Sequence, residues 1–149
     1  ISRYPQTSRR QNSMSRDARI GMVEELAAIA KANFVGRFVQ LGLEIGDTLV
    51  AVAPYCRVVV AYTQAPQRNP ALYDLIKGIK NIVICQESGQ GDSNLHADKS
   101  IDLLYIANDN PNAVMVLTKM WRDKCKRIIF PKGLPGLPLT NKHEHFEEL

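Results

Sequence analysis

The strongest constraint in this chain is a set of short apolar runs that do not alternate. Thr48-Leu49-Val50-Ala51-Val52-Ala53, Cys56 to Thr63, Ala113 to Leu117 and Arg127 to Phe130 are all nearly continuous. A strand with one wet face alternates apolar and polar residues, whereas a continuous run needs cover on both faces. The expected fold is therefore a three-layer α/β domain, with a mixed central sheet of about four or five strands and helices on both faces. The two runs flanking Pro54-Tyr55 read as an antiparallel hairpin, and Asn81 to Glu87 as either a short third strand or an extended approach to the next loop.

Helical spacing supplies the outer layers. Ile20, Val23, Ala27, Ala30, Phe34 and Phe38 recur every three or four residues, which predicts a helix from Asp17 to about Leu41. Ser15 or Asp17 can cap it, Gly42 can stop it, and Gly36 marks a bend or break. Pro70 to Lys80 reads as a second helix with proline in its first turn. Asn94 to Ala107 reads as a third, and Lys119 to Lys126 as a short fourth.

At 149 residues the chain has the length of one domain. Its boundaries read as a polar arm over 1–16, an α/β domain over 17–130, and an irregular tail over 131–149. Pro131 to Pro138 holds three prolines and two glycines, which exclude regular structure there. The chain begins at Ile1, so it reads as a piece of something longer. Its apolar runs are far shorter than the ~20 residues that span a bilayer, so no membrane helix is expected. Three cysteines without a CxxC pair argue against a disulfide scaffold. A net charge of +4 permits a nucleic acid or nucleotide partner without demanding one.

The residues that can carry chemistry gather late in the sequence. His96 and Asp98 lie two residues apart at the expected start of the third helix, and Trp121 and Cys125 follow the next strand-like run. Without chemistry, Asp98 suits a helix N-terminus and Asn94 or Ser93 caps it. With metal-free chemistry, His96, Lys99, Lys119, Arg122 and Lys124 would act as the general acid–base and phosphate-holding groups of a ribonuclease. Trp121 could stack on a base.

The order of elements from Asp17 to Phe130 resembles the deaminase domains of bacterial polymorphic toxins, which share the cytidine-deaminase-like fold. The resemblance implies a zinc-dependent hydrolase acting on a nucleobase or nucleotide, in which Zn2+ activates a water. His96 then takes the place of the zinc histidine, Asp98 that of the catalytic glutamate, and Cys125 that of one zinc cysteine. Lys99, Lys119, Trp121 and Arg122 would contact substrate. The chain departs from the pattern at Asp98, one methylene short, and at Arg122, where a second cysteine belongs. The second thiolate would come from Cys56 or Cys85, or a ring from His143 or His145 would replace it. An immunity protein as partner, and a secreted toxin acting in the target-cell cytoplasm, are further implications. A deaminase-like scaffold without zinc, serving as a binding module, is the remaining alternative.

Overall fold

The computed structural model describes residues 14–64, 70–87, 92–134 and 143–149. The expected arm lies almost wholly outside these residues, as does much of the proline-rich loop.

The chain enters through α1 (Arg16–Ala32), where the Ser15 hydroxyl accepts from the Ala18 amide at 3.1 Å. Met22, Leu26, Ile29 and Ala30 form its buried stripe. The helix stops at Asn33, well before Leu41, and Phe34 follows in a left-handed backbone conformation with φ 50°. Beyond Gly36 the chain becomes β1 (Arg37–Leu41). The expected bend is therefore a complete change of element.

Next come α2 (Asp47–Val52), β2 (Val58–Thr63), α3 (Pro70–Ile76) and β3 (Ile82–Gln86). After a 3-10 turn at Asp92–Leu95 the chain forms β4 (Leu103–Ile106), α4 (Pro111–Trp121), β5 (Ile128–Pro131) and β6 (Phe146–Glu148). Among the described residues the strands make one six-stranded sheet in the order β3-β2-β1-β4-β5-β6. Only the β5–β6 pairing is antiparallel.

Three layers and a mixed sheet agree with expectation, but the deaminase-like layout is corrected. The hairpin expected across Pro54-Tyr55 is not formed: 47–52 is helix, and its neighbour β2 pairs parallel to β1. Asn94–Ala107 is not one helix, because its second half is β4. The run 113–117 is not a strand but the middle of α4. There the Asn110 side chain accepts from the amides of Asn112 and Ala113, and Pro111 occupies the first turn. A short apolar run satisfies a buried strand and a buried helix equally well, so its ends decide.

Alternation along β1 divides the core. Phe38 faces a cluster with Met22, Leu26, Leu49, Val52 and Leu72 from α1, α2 and α3. Val39 and Leu41 face the other cluster, with Val114, Leu117 and Trp121 from α4. No helix of the described residues is long and apolar enough to cross a membrane.

Candidate functional site

In the sheet order, successive connections run outward in opposite directions from β1 and β4. The carboxyl ends of these two strands diverge into different loops, and such a switch point is where open α/β sheets form ligand crevices. The β1 loop is Gly42-Leu43-Glu44-Ile45-Gly46. It turns through three left-handed residues: Gly42 at φ 102°, Glu44 at 53° and Gly46 at 87°. A side chain on Gly42 would meet the Ala107 carbonyl oxygen, 3.0 Å from the Cβ position, so bare backbone is required where the β1 and β4 loops approach. On Gly46 it would run into Leu72, so that glycine lets α3 close on the loop.

Buried side chains hold this loop from beneath. Gln40 donates from Nε2 to the Gly42 carbonyl at 2.9 Å, and its Oε1 accepts from the Thr48 hydroxyl at 2.8 Å. Glu44 turns its carboxylate inward, where it accepts from Arg19 at 2.8 Å and from the Tyr105 hydroxyl at 2.8 Å. Arg19 also grips Asp47 through two hydrogen bonds. Burial pushes the Glu44 carboxyl above the usual range despite Arg19 and Tyr105. For Arg19, burial disfavours the charge, but Asp47 and Glu44 outweigh it and hold the guanidinium protonated. Among the described residues nothing accepts from the backbone N–H groups of Leu43, Glu44 and Ile45. Leu43 and Glu44 are nevertheless buried. Consecutive amides left unpaired in a glycine-bounded loop form a concavity suited to a polar or anionic group.

Across the crevice, β4 ends in Ala107-Asn108-Asp109-Asn110. The Asn108 side chain accepts from the Asn110 amide at 2.9 Å, which fixes the entry to α4. At the end of β2 stand buried Thr63 and exposed Gln64, and no aspartate or glutamate occurs from Arg57 to Tyr73.

The residues singled out from sequence lie elsewhere. His96 is buried, with Nε2 2.8 Å from the Tyr62 hydroxyl, Nδ1 3.3 Å from the Arg37 guanidinium, and its ring against Trp121. Burial, and then the charges of Arg37 and Lys124, lower its pKa, so the imidazole is neutral near pH 7. Asp98 is exposed and pairs with Lys124 at 3.1 Å. Lys99 donates to the Cys125 carbonyl at 3.1 Å, and Lys119 and Arg122 are exposed. Trp121 is fully buried, with an indole N–H that finds no partner among the described residues.

The zinc expectation is corrected by this geometry. Both ring nitrogens of His96 face polar protein groups. The Cys125 thiol donates to the Trp121 carbonyl, and burial pushes its pKa up to about 12, whereas a zinc ligand must be a thiolate. Among the described residues a group near enough to share an ion is Glu25, Glu144 and His145, within 4.8 Å of one another. Both Glu25 oxygens already accept from the Glu144 and His145 amides, so this cluster fastens β6 to α1.

Comparison with solved structures overturns the deaminase, toxin and hydrolase expectations together. The fold is that of methyltransferases. The O-methyltransferase from Bacillus cereus, solved in complex with SAH, superposes with a TM-score of 0.64 at 11% identity, covering 80% of this chain and 57% of that one. A methyltransferase from Geobacter sulfurreducens gives 0.60 at 19%, covering 74% and 60%. The N-methyltransferase NodS from Bradyrhizobium japonicum gives 0.60 at 12%, covering 77% and 66%. This chain thus spans roughly three-fifths of the length of these neighbours. No family model and no curated protein sequence matches it. The sequence signal that was passed over is the Gly-x-x-x-Gly spacing at Gly42 and Gly46, placed after a strand and before a helix.

Proposed function

We propose that this domain is a methyltransferase core whose crevice, beyond the ends of β1 and β4, binds an S-adenosyl nucleotide cofactor. One observation carries the reading: the amides of Leu43, Glu44 and Ile45 at the switch point, which have no partner among the described residues. The Bacillus cereus neighbour, solved with SAH, supports it by analogy of fold.

The residues present fit such a group. The amides of 43–45 would hold its polar end, and Gly42 keeps the approach bare. With no carboxylate at the end of β2, the ribose hydroxyls would meet the Gln64 amide rather than an acid. When bound, S-adenosylmethionine supplies a methyl group on a positively charged sulfur. The chain's part is to fix that group's position, through the Arg19–Glu44–Asp47 network beneath the loop, since alignment of reacting atoms provides much of the acceleration.

Calorimetric titration with S-adenosylhomocysteine tests the proposal. The expected result is one saturable site with Kd between about 1 and 100 µM, weakened at least about tenfold in a folded Gly42→Ala variant. Absence of binding at about 1 mM ligand would overturn it.

A further inference from the structure

The opposite end of the strands carries a second cleft, of about 180 Å³, lined by Gly36, Arg37, Arg57, Val58, Ser100 and Asp102. It lies where β1, β2 and β4 begin, at the far ends of the strands from the Gly42–Gly46 loop. Its one carboxylate is fully engaged. Asp102 Oδ2 accepts from the Gly36 and Arg37 amides at 2.9 Å each, and Oδ1 meets Lys126 at 3.0 Å. The floor is rigid as well, because the Gly36 carbonyl accepts from the amides of Arg57 and Val58 at 2.9 Å each.

Two guanidiniums are left over. Arg37 is half-buried, and the side-chain partner it has among the described residues is the ring of His96. An imidazole, neutral or protonated, offers a guanidinium no opposite charge. Arg57 is exposed and makes no ion pair among the described residues. A half-buried cation without a counter-charge is costly, and an oxyanion seated beside it would offset that cost. A carboxylate is satisfied by one planar guanidinium fork, whereas a phosphate has oxygens enough for two.

We propose that this cleft is a phosphate-binding site in which Arg37 and Arg57 grip a single phosphate group. The phosphate belongs either to a small phosphorylated molecule or to a nucleic acid strand, and the chemistry of recognition is shared. The site is independent of the switch-point crevice.

The test is titration of the isotope-labelled protein with inorganic phosphate, followed by amide NMR. Saturable shifts at Gly36, Arg37, Val58 and Ser100 are expected. Arg57→Ala, a change at an exposed side chain, should keep the melting temperature and weaken phosphate binding about tenfold. Parallel titrations with adenosine monophosphate and a short single-stranded oligonucleotide identify the source. Equal binding of the monophosphate and inorganic phosphate assigns a small ligand. Oligonucleotide binding that is tighter and falls steeply with salt assigns a strand. Either supports the site. No saturable shift with any of the three, or affinity unchanged in folded Arg57→Ala, would overturn it.

Discussion

The two ends of the parallel strands solve opposite problems. At the carboxyl end the charges are internally paired and the backbone is left bare. Glu44, Asp47 and Arg19 satisfy one another below the loop, and three amides above it have no partner among the described residues. At the amino end the backbone is satisfied and the side chains are left over. Asp102 takes the amides of Gly36 and Arg37, while among the described residues the guanidiniums of Arg37 and Arg57 make no ion pair. The first arrangement fixes a loop so that its main chain can bind; the second fixes strand starts so that side chains can. One sheet can therefore offer two recognition surfaces without a shared residue.

Substitutions at each end test this contrast. The largest effect should come from Glu44→Ala, which strips Arg19 and the buried Tyr105 hydroxyl of a partner at once. Breaking a buried pair from one side costs about 3–5 kcal/mol, and the low end applies because Asp47 keeps its hold on Arg19. Denaturant unfolding measures it. A loss under about 1 kcal/mol would mean that the network does not hold the loop. Asp102→Ala frees two backbone amides and Lys126 at a more accessible place. The expected loss is about 1–3 kcal/mol, with S-adenosylhomocysteine binding unchanged because the far end of the sheet is untouched.

A smaller effect concerns pH. The folded state lowers the His96 pKa through burial, aided by Arg37 and Lys124, so the unfolded chain binds the extra proton first. The stability this neutral ring contributes is present above about pH 6.5 and is lost as pH falls from there toward the folded value. Wild-type protein should therefore lose more stability than His96→Gln between about pH 7 and 5. Taking the difference between the two proteins cancels Glu44, whose raised pKa gives a slope of the opposite sign. Parallel curves would show that His96 is not held neutral beside Arg37.

Much of the frame could be read from the residues. The continuous apolar runs signalled a sheet covered on both faces, and the spacing of Ile20, Val23, Ala27 and Ala30 signalled α1. The buried stripe is nonetheless Met22, Leu26, Ile29 and Ala30, and Ile20 is exposed. Gly36 was rightly suspected as a break, although its consequence is a strand rather than a bend. The errors fell on runs too short for periodicity to discriminate. Thr48–Ala53, rich in valine, resembles a strand, yet Gly46 at φ 87° starts a helix there. Ala113–Leu117 does likewise, and the decisive signal was the Asn110-Pro111 cap, which reads equally well as a turn.

The helix expected to run on to Leu41 hid β1, and with it the meaning of Gly42 and Gly46. The helix expected over 94–107 drew attention to His96, whose ring proved to be a buried hydrogen-bonding partner of Tyr62. The candidate site consists mainly of backbone N–H groups, which no residue letter displays. Glu44, a charged residue in a left-handed turn, gave no hint that its side chain faces inward to Arg19 and Tyr105.

The central claim is that the carboxyl end of the sheet holds the cofactor, and amide NMR with S-adenosylhomocysteine addresses it directly. The account predicts saturable shifts of the Leu43, Glu44 and Ile45 amides, while Arg37 and His96 stay in place. Shifts centred on His96 and Arg37, with the 42–46 loop unmoved, would contradict it.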